Sequence, residues 1–132
     1  PMDGVMTGRP RVLVVDDEKD VTELLSKHLP DAANYDVRIA ANGFQAGIEC
    51  ERFKPHVLLL DVHLAEGDAR DLARSLRGED ELQLTRVVAM SGKLTDTQLA
   101  SLRSQGFDEC LKKPFSIRQV VEAIEKCMAI VH

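Results

Sequence analysis

Four places in this sequence put chemically active side chains at the ends of apolar runs. Val12–Val15 leads straight into Asp16, Asp17 and Glu18, with Asp20 close behind. Val57–Leu60 leads into Asp61, Val87–Met90 leads into Ser91, and the short pair Cys110 and Leu111 precedes Lys113, which stands before Pro114. Carboxylates crowded together repel one another, and a hard divalent cation with oxygen ligands, typically magnesium, relieves the repulsion. An aspartate is already an anion at neutral pH, so it attacks phosphorus without a general base and forms an aspartyl phosphate. Asp61 is the candidate nucleophile. A metal ion, the Lys113 ammonium and the Ser91 hydroxyl would supply the positioning and charge stabilisation that dominate phosphoryl transfer. Taken alone, two aspartates after a strand are equally well a solvated turn or a helix start favoured by the helix dipole, and that plainer reading is given to Glu18 and Asp20.

For these groups to meet, the runs must be strands whose carboxyl ends share one edge. Arg11–Val15, Val37–Ala40, Val57–Leu60, Val87–Met90 and the weaker Glu109–Leu111 have the length and residue types of strands. Between them, Val21, Leu24, Leu25 and Leu29 repeat at helical spacing, and Leu72 with Leu76, then Leu99 with Leu102, continue the theme. Ile117, Val120, Val121, Ile124, Cys127, Met128 and Val131 share one face of a last helix. Thr95 with Gln98 and Ser116 with Gln119 have capping-box spacing, while Gly78 and Gly106 stand where helices should stop. Strands alternating with helices imply βαβ units, a parallel sheet covered on both faces, and a ligand site at the carboxyl ends of the strands.

The chain has 132 residues, 44% of them hydrophobic, which suffices for one core and is too little for two ordinary domains. Its net charge of -5, from 17 basic and 22 acidic residues, leaves no basic patch to neutralise a nucleic-acid backbone. Cys50, Cys110 and Cys127 show no CxxC spacing, which argues against a disulfide framework or a zinc site and fits a reducing cytoplasm. Cys50 and Cys127 read as packed or helix-surface residues rather than reactive ones, Cys110 as a buried small hydrophobe, and His28 and His56 as structural or surface residues. No apolar run approaches the roughly 18 residues of a membrane span. Residues 1–10 are expected to be a disordered leader or a remnant of processing or cloning, and residues 11–132 the folded domain. The acidic stretch also imitates part of a P-loop ATPase, but GxxxxGK[ST] is absent and the pair Gly92 and Lys93 is followed by Leu94.

Taken in order, the motifs VVDDE (14–18), LLLDVHL (58–64), VVAMSG (87–92) and LKKPF (111–115) resemble those of the receiver domain of two-component response regulators, over residues 11–131. The resemblance implies a flavodoxin-like, doubly wound, five-stranded parallel sheet of order 2-1-3-4-5 with five flanking helices. It implies Asp61 as the phosphoacceptor, Asp17 and Asp61 as direct carboxylate ligands of Mg2+, Asp16 as a ligand mainly through water, and the backbone carbonyl of His63 as the remaining protein ligand. Ser91 would be the hydroxyl that pivots toward the phosphoryl group and Lys113 the cation that bonds it, with a cis peptide between Lys113 and Pro114. The side chains of His63 and Lys93, each two residues past a site residue, become candidates for setting rates. Three positions depart from the common pattern. Ala65 stands where proline is common, Gly92 where alanine is common, and Cys110 occupies the place of the switch aromatic. Coupling to the output surface is therefore expected to be altered, or to run mainly through Ser91 and the loop after it.

The function so implied is a phosphorylation-dependent signalling switch. Asp61 would take a phosphoryl group from a histidine kinase or phosphotransfer protein in a magnesium-dependent reaction. The face formed by the fourth helix, fifth strand and fifth helix would then change its preference for a downstream effector domain or protein, or for a second copy of the chain. Such a protein catalyses its own phosphorylation and slow autodephosphorylation and is a regulator more than an enzyme. Direct binding to nucleic acid or membrane is not expected. One rival is a phosphorylation-independent binding module of the same fold, against which the complete set of acids, hydroxyl and lysine argues. The other is a metal-dependent phosphohydrolase, which would need a second acid for the leaving group and a cap over the substrate.

Overall fold

The computed structural model describes residues 8–64, 72–73, 75–76, 78, 84–93 and 95–129, position 99 by its backbone alone. Strands Arg11–Val15 (β1), Asp36–Ala40 (β2), Val57–Asp61 (β3), Arg86–Ser91 (β4) and Glu109–Lys112 (β5) form one parallel sheet in the order β2-β1-β3-β4-β5. Helices Lys19–Ala33 (α1), Gly43–Phe53 (α2), Asp96–Leu102 (α3) and Ile117–Met128 (α4) flank it. Residues 72–73 and 75–76 are helical, at the place of the further helix expected between β3 and β4. This is the flavodoxin-like doubly wound architecture that the motifs imply.

The three central strands are apolar almost throughout because both of their faces are covered, and β3 is buried at every position. Side chains alternate across the sheet. Leu13, Val15, Leu58, Leu60 and Ala89 pack with Ala46, Cys50 and Phe53 of α2 on one face, while Val12, Val14, Leu59, Val88 and Met90 meet α1 and α4 on the other. Two strands run one residue past their apolar stretches, so Asp61 and Ser91 are the last residues of β3 and β4. Sheet register holds both, Asp61 opposite Met90 and Ser91 opposite Lys112.

Both capping boxes form. The Thr95 and Ser116 side chains accept from the backbone N–H groups of Gln98 and Gln119, whose side chains reach back to the cap N–H groups. The last helix buries Val120, Ala123, Ile124 and Cys127, and Val131 lies outside the described residues. Gly106 closes the 3-10 turn Arg103–Gln105 at φ 100°, a left-handed conformation that favours glycine. Helix α1 buries Thr22, Leu25 and Leu29, whereas Leu24 is 37% exposed, so its inward stripe is rotated from the one the leucine spacing suggests. The ordered contacts begin upstream of β1. Arg9 donates to the carbonyl of Tyr35 at 2.6 Å, and the Pro10 carbonyl accepts the N–H of Asp36, which ties these two residues of the expected leader to the sheet.

Candidate functional site

At the carboxyl edge of the sheet, Asp16, Asp61 and Ser91 are all nearly inaccessible, at 1%, 3% and 3% exposure. Asp16 is the first residue after β1, pinned by its N–H to the carbonyl of Ala40 at 3.2 Å. Its Oδ1 accepts the N–H of Glu18 at 2.9 Å. Its Oδ2 is buried with no hydrogen bond of good geometry and faces Nζ of Lys113 at 2.8 Å as an ion pair. Lys113 also pairs with Oε1 of Glu18 at 2.7 Å and stands 3.8 Å from Oδ2 of Asp61. Its backbone is fixed by an N–H bond to the Ser91 carbonyl at 2.8 Å and by the cis peptide to Pro114. Oδ1 of Asp61 accepts the N–H of His63 at 3.0 Å. Oγ of Ser91 accepts the N–H of Lys93 at 3.1 Å and lies 2.8 Å from Nε2 of His63.

The electrostatics follow from this arrangement. Burial raises the Asp16 carboxyl above the usual aspartate range, with the Asp61 charge adding to it and Lys113 opposing. For Lys113, burial works against the ammonium, but its pairing with the Asp16 and Glu18 carboxylates and the charge of Asp61 outweigh it and hold the group above the ordinary lysine value. Lys113 in turn holds the exposed Glu18 carboxyl below its ordinary value.

Carboxylate oxygens of Asp16, Glu18 and Asp61 lie within 4.8 Å of one another. An oxygen-only donor set with one buried, poorly satisfied oxygen suits a hard divalent cation. Glu18, read as a solvated helix start, is exposed and close to Asp16 and Asp61, and Asp17, the expected direct ligand, is an exposed neighbour of the buried Asp16. No local spacing could have revealed the pairing of Glu18 with Lys113, which is 95 residues away.

Among the other candidates, the Lys93 side chain is exposed and its backbone alone touches Ser91. Cys110 is half-buried and packs against the cluster containing Ala73, Ala89, Leu102 and Phe107. Ala65 lies outside the described residues. A Cβ added at Gly92 would meet Cβ of Lys113 at 3.7 Å, an ordinary contact, so an alanine would fit there. The thiols of Cys50 and Cys127 are pushed up to about 11 by burial, as expected of packed side chains. His56 is structural, its Nδ1 accepting the N–H of Arg11 at 2.9 Å, and His28 is exposed.

The sheet order, with Asp16, Asp61, Ser91 and Lys113 at its carboxyl edge, is the arrangement expected of a receiver domain. The chain matches the response regulator receiver domain over residues 12–125 and belongs to that family. It is 32% identical over 111 residues to the transcriptional regulatory protein TrcR of Mycobacterium tuberculosis, covering 84% of this chain and 42% of that protein. It is 31% identical over 110 residues to the alkaline phosphatase synthesis transcriptional regulatory protein PhoP of Bacillus subtilis, covering 83% of this chain and 45% of that protein. The chain thus spans less than half the length of these curated relatives. In fold it is similar to the chemotaxis response regulator CheY4 of Vibrio cholerae, with a TM-score of 0.83 at 21% identity, covering 90% of this chain and 98% of that one. No helix among the described residues is long and apolar enough to cross a membrane.

Proposed function

We propose that this chain is a phosphorylation-dependent switch in which Asp61 is the phosphoacceptor. The observation that carries the reading is the convergence of buried Asp16, Asp61 and Ser91 with Lys113 at one sheet edge. A carboxylate oxygen of Asp61 attacks the phosphorus of a phosphohistidine. The P–O bond forms as the P–N bond breaks, and the imidazole leaves with a proton from solvent. Lys113, already 3.8 Å from Asp61, neutralises charge on the phosphoryl oxygens, and the Ser91 hydroxyl donates to one of them. Magnesium, held by acids of the Asp16, Glu18 and Asp61 group, with Asp17 and the His63 carbonyl as further candidates, would offset the negative charge of nucleophile and phosphoryl group. Hydrolysis of the acyl phosphate by water resets the switch.

The output is read on α3, β5 and α4. Between β5 and α4 lies a cleft of about 330 Å³ lined by Glu109, Cys110, Lys112, Gln119, Glu122 and Lys126, a mixed-charge surface suited to a protein partner. Partners are a histidine kinase or phosphotransfer protein upstream and an effector domain, effector protein or second copy downstream. Intact-mass measurement after incubation with acetyl phosphate tests the acceptor assignment. The parent should gain one phosphoryl mass only with magnesium, and Asp61→Asn should gain none. Phosphorylation of Asp61→Asn to the parental extent would refute the assignment.

A further inference from the structure

Ser91 is 3% exposed, and a buried hydroxyl needs an acceptor for its single hydrogen as well as donors for its lone pairs. One lone pair takes the N–H of Lys93 at 3.1 Å. Among the described residues, Nε2 of His63, at 2.8 Å, is the acceptor within reach of the hydrogen. His63 itself is exposed, so its Nδ1–H can be satisfied by water, which is the tautomer that leaves Nε2 free to accept. The backbone N–H of the same residue donates to Oδ1 of Asp61 at 3.0 Å. One residue therefore grips the acceptor carboxylate with its main chain and the site hydroxyl with its side chain.

We propose that His63 is a positioning residue that holds the Ser91 hydroxyl in the unphosphorylated protein, so that this hydroxyl must exchange the imidazole for a phosphoryl oxygen when Asp61 is modified. The inference rests on the phosphoacceptor reading above. A hydroxyl with one hydrogen cannot donate to both acceptors, so the imidazole competes with the phosphoryl group. His63 thereby sets the threshold of the switch without touching phosphorus. A side chain at this position that cannot accept a hydrogen bond leaves Ser91 free and tightens the phosphorylated-like state. Its effect vanishes when Ser91 loses its hydroxyl.

The experiment uses beryllofluoride with magnesium, a stable mimic of the phosphoryl group, titrated into the parent, His63→Ala, His63→Gln, Ser91→Ala and the His63→Ala/Ser91→Ala double variant. Loss of one competing hydrogen bond should tighten binding to His63→Ala by about 2- to 10-fold. His63→Gln, which retains an acceptor, should return toward the parent, and His63→Ala should change nothing in the Ser91→Ala background. In the ligand-free protein, the 15N signal of His63 Nε2 should move on Ser91→Ala and, in the parent, move the same way on adding beryllofluoride. Equal affinity of parent and His63→Ala, or an equal gain with and without the Ser91 hydroxyl, would overturn the competition. An Nε2 signal indifferent to Ser91→Ala would overturn the hydrogen bond itself. Binding to none of the variants, with the Nε2 response to Ser91→Ala intact, would instead overturn the phosphoacceptor reading and the competition built on it.

Discussion

Replacing Asp16 by asparagine should stabilise the metal-free protein. The side chain is 1% exposed, and its carboxyl is raised by burial and by the nearby Asp61 charge, so the ion pair with Lys113 at 2.8 Å does not fully repay desolvation. The substituted amide keeps the shape and keeps an oxygen to accept the Glu18 N–H; its NH2 then stands where Oδ2 was, so the Lys113 ammonium turns from it to Glu18 at 2.7 Å and Asp61 at 3.8 Å. The gain should be about 1 kcal/mol, set by removing a buried charge and its repulsion with Asp61. The pH dependence has a definite sign. An acid whose folded-state value is raised weakens the fold when ionised, so the penalty is full above that raised value and fades as pH falls toward the ordinary 3.8. The advantage of the variant should shrink over the same window. Urea unfolding in EDTA at several pH values measures it, with unchanged m-values certifying that the unfolded states match. Repeating the melts in magnesium should reverse the order, because a cation bound at about 100 times its Kd stabilises the parent by roughly 2.7 kcal/mol. An Asp16→Asn protein less stable than the parent in EDTA at neutral pH would refute the reasoning, since it would mean that the ion pair outweighs burial.

Two further outcomes test the scaffold. Gly106→Ala should cost about 1 kcal/mol or more, read as a lower urea midpoint, because φ there is 100°, a conformation that strains any residue with a Cβ. Cys50 and Cys127, at 2% and 0% exposure with thiols near 11, should resist iodoacetamide in the folded protein and react on unfolding, while half-buried Cys110 reacts first.

Much of this architecture was legible in the sequence because each central strand of a doubly covered parallel sheet is a nearly unbroken apolar run. The residue that ends such a run then marks the ligand edge. Asp61 and Ser91 could be placed in this way, and both are the last residues of their strands, held by sheet register. The caps of α3 and α4 were legible for the same local reason, a hydroxyl three residues before a glutamine. The inward face of α1 was not, because Thr22 buries while Leu24 stays partly out, a choice made by the neighbouring α4 and β2 and not by hydropathy. Long-range polar pairing was equally invisible. Glu18 meets Lys113 across 95 residues and His63 meets Ser91 across 28, distances over which only the closed fold sets the geometry.

The central claim is that a phosphoryl group passes from histidine to Asp61. The direct test is to incubate the chain and magnesium with a phosphorylated histidine phosphotransfer domain, reduce the product with borohydride, which converts an aspartyl phosphate to homoserine, and locate the change by peptide mass. Homoserine at position 61 alone is the predicted result. Loss of phosphate from the donor without homoserine at position 61, or with homoserine at another aspartate, would contradict the account.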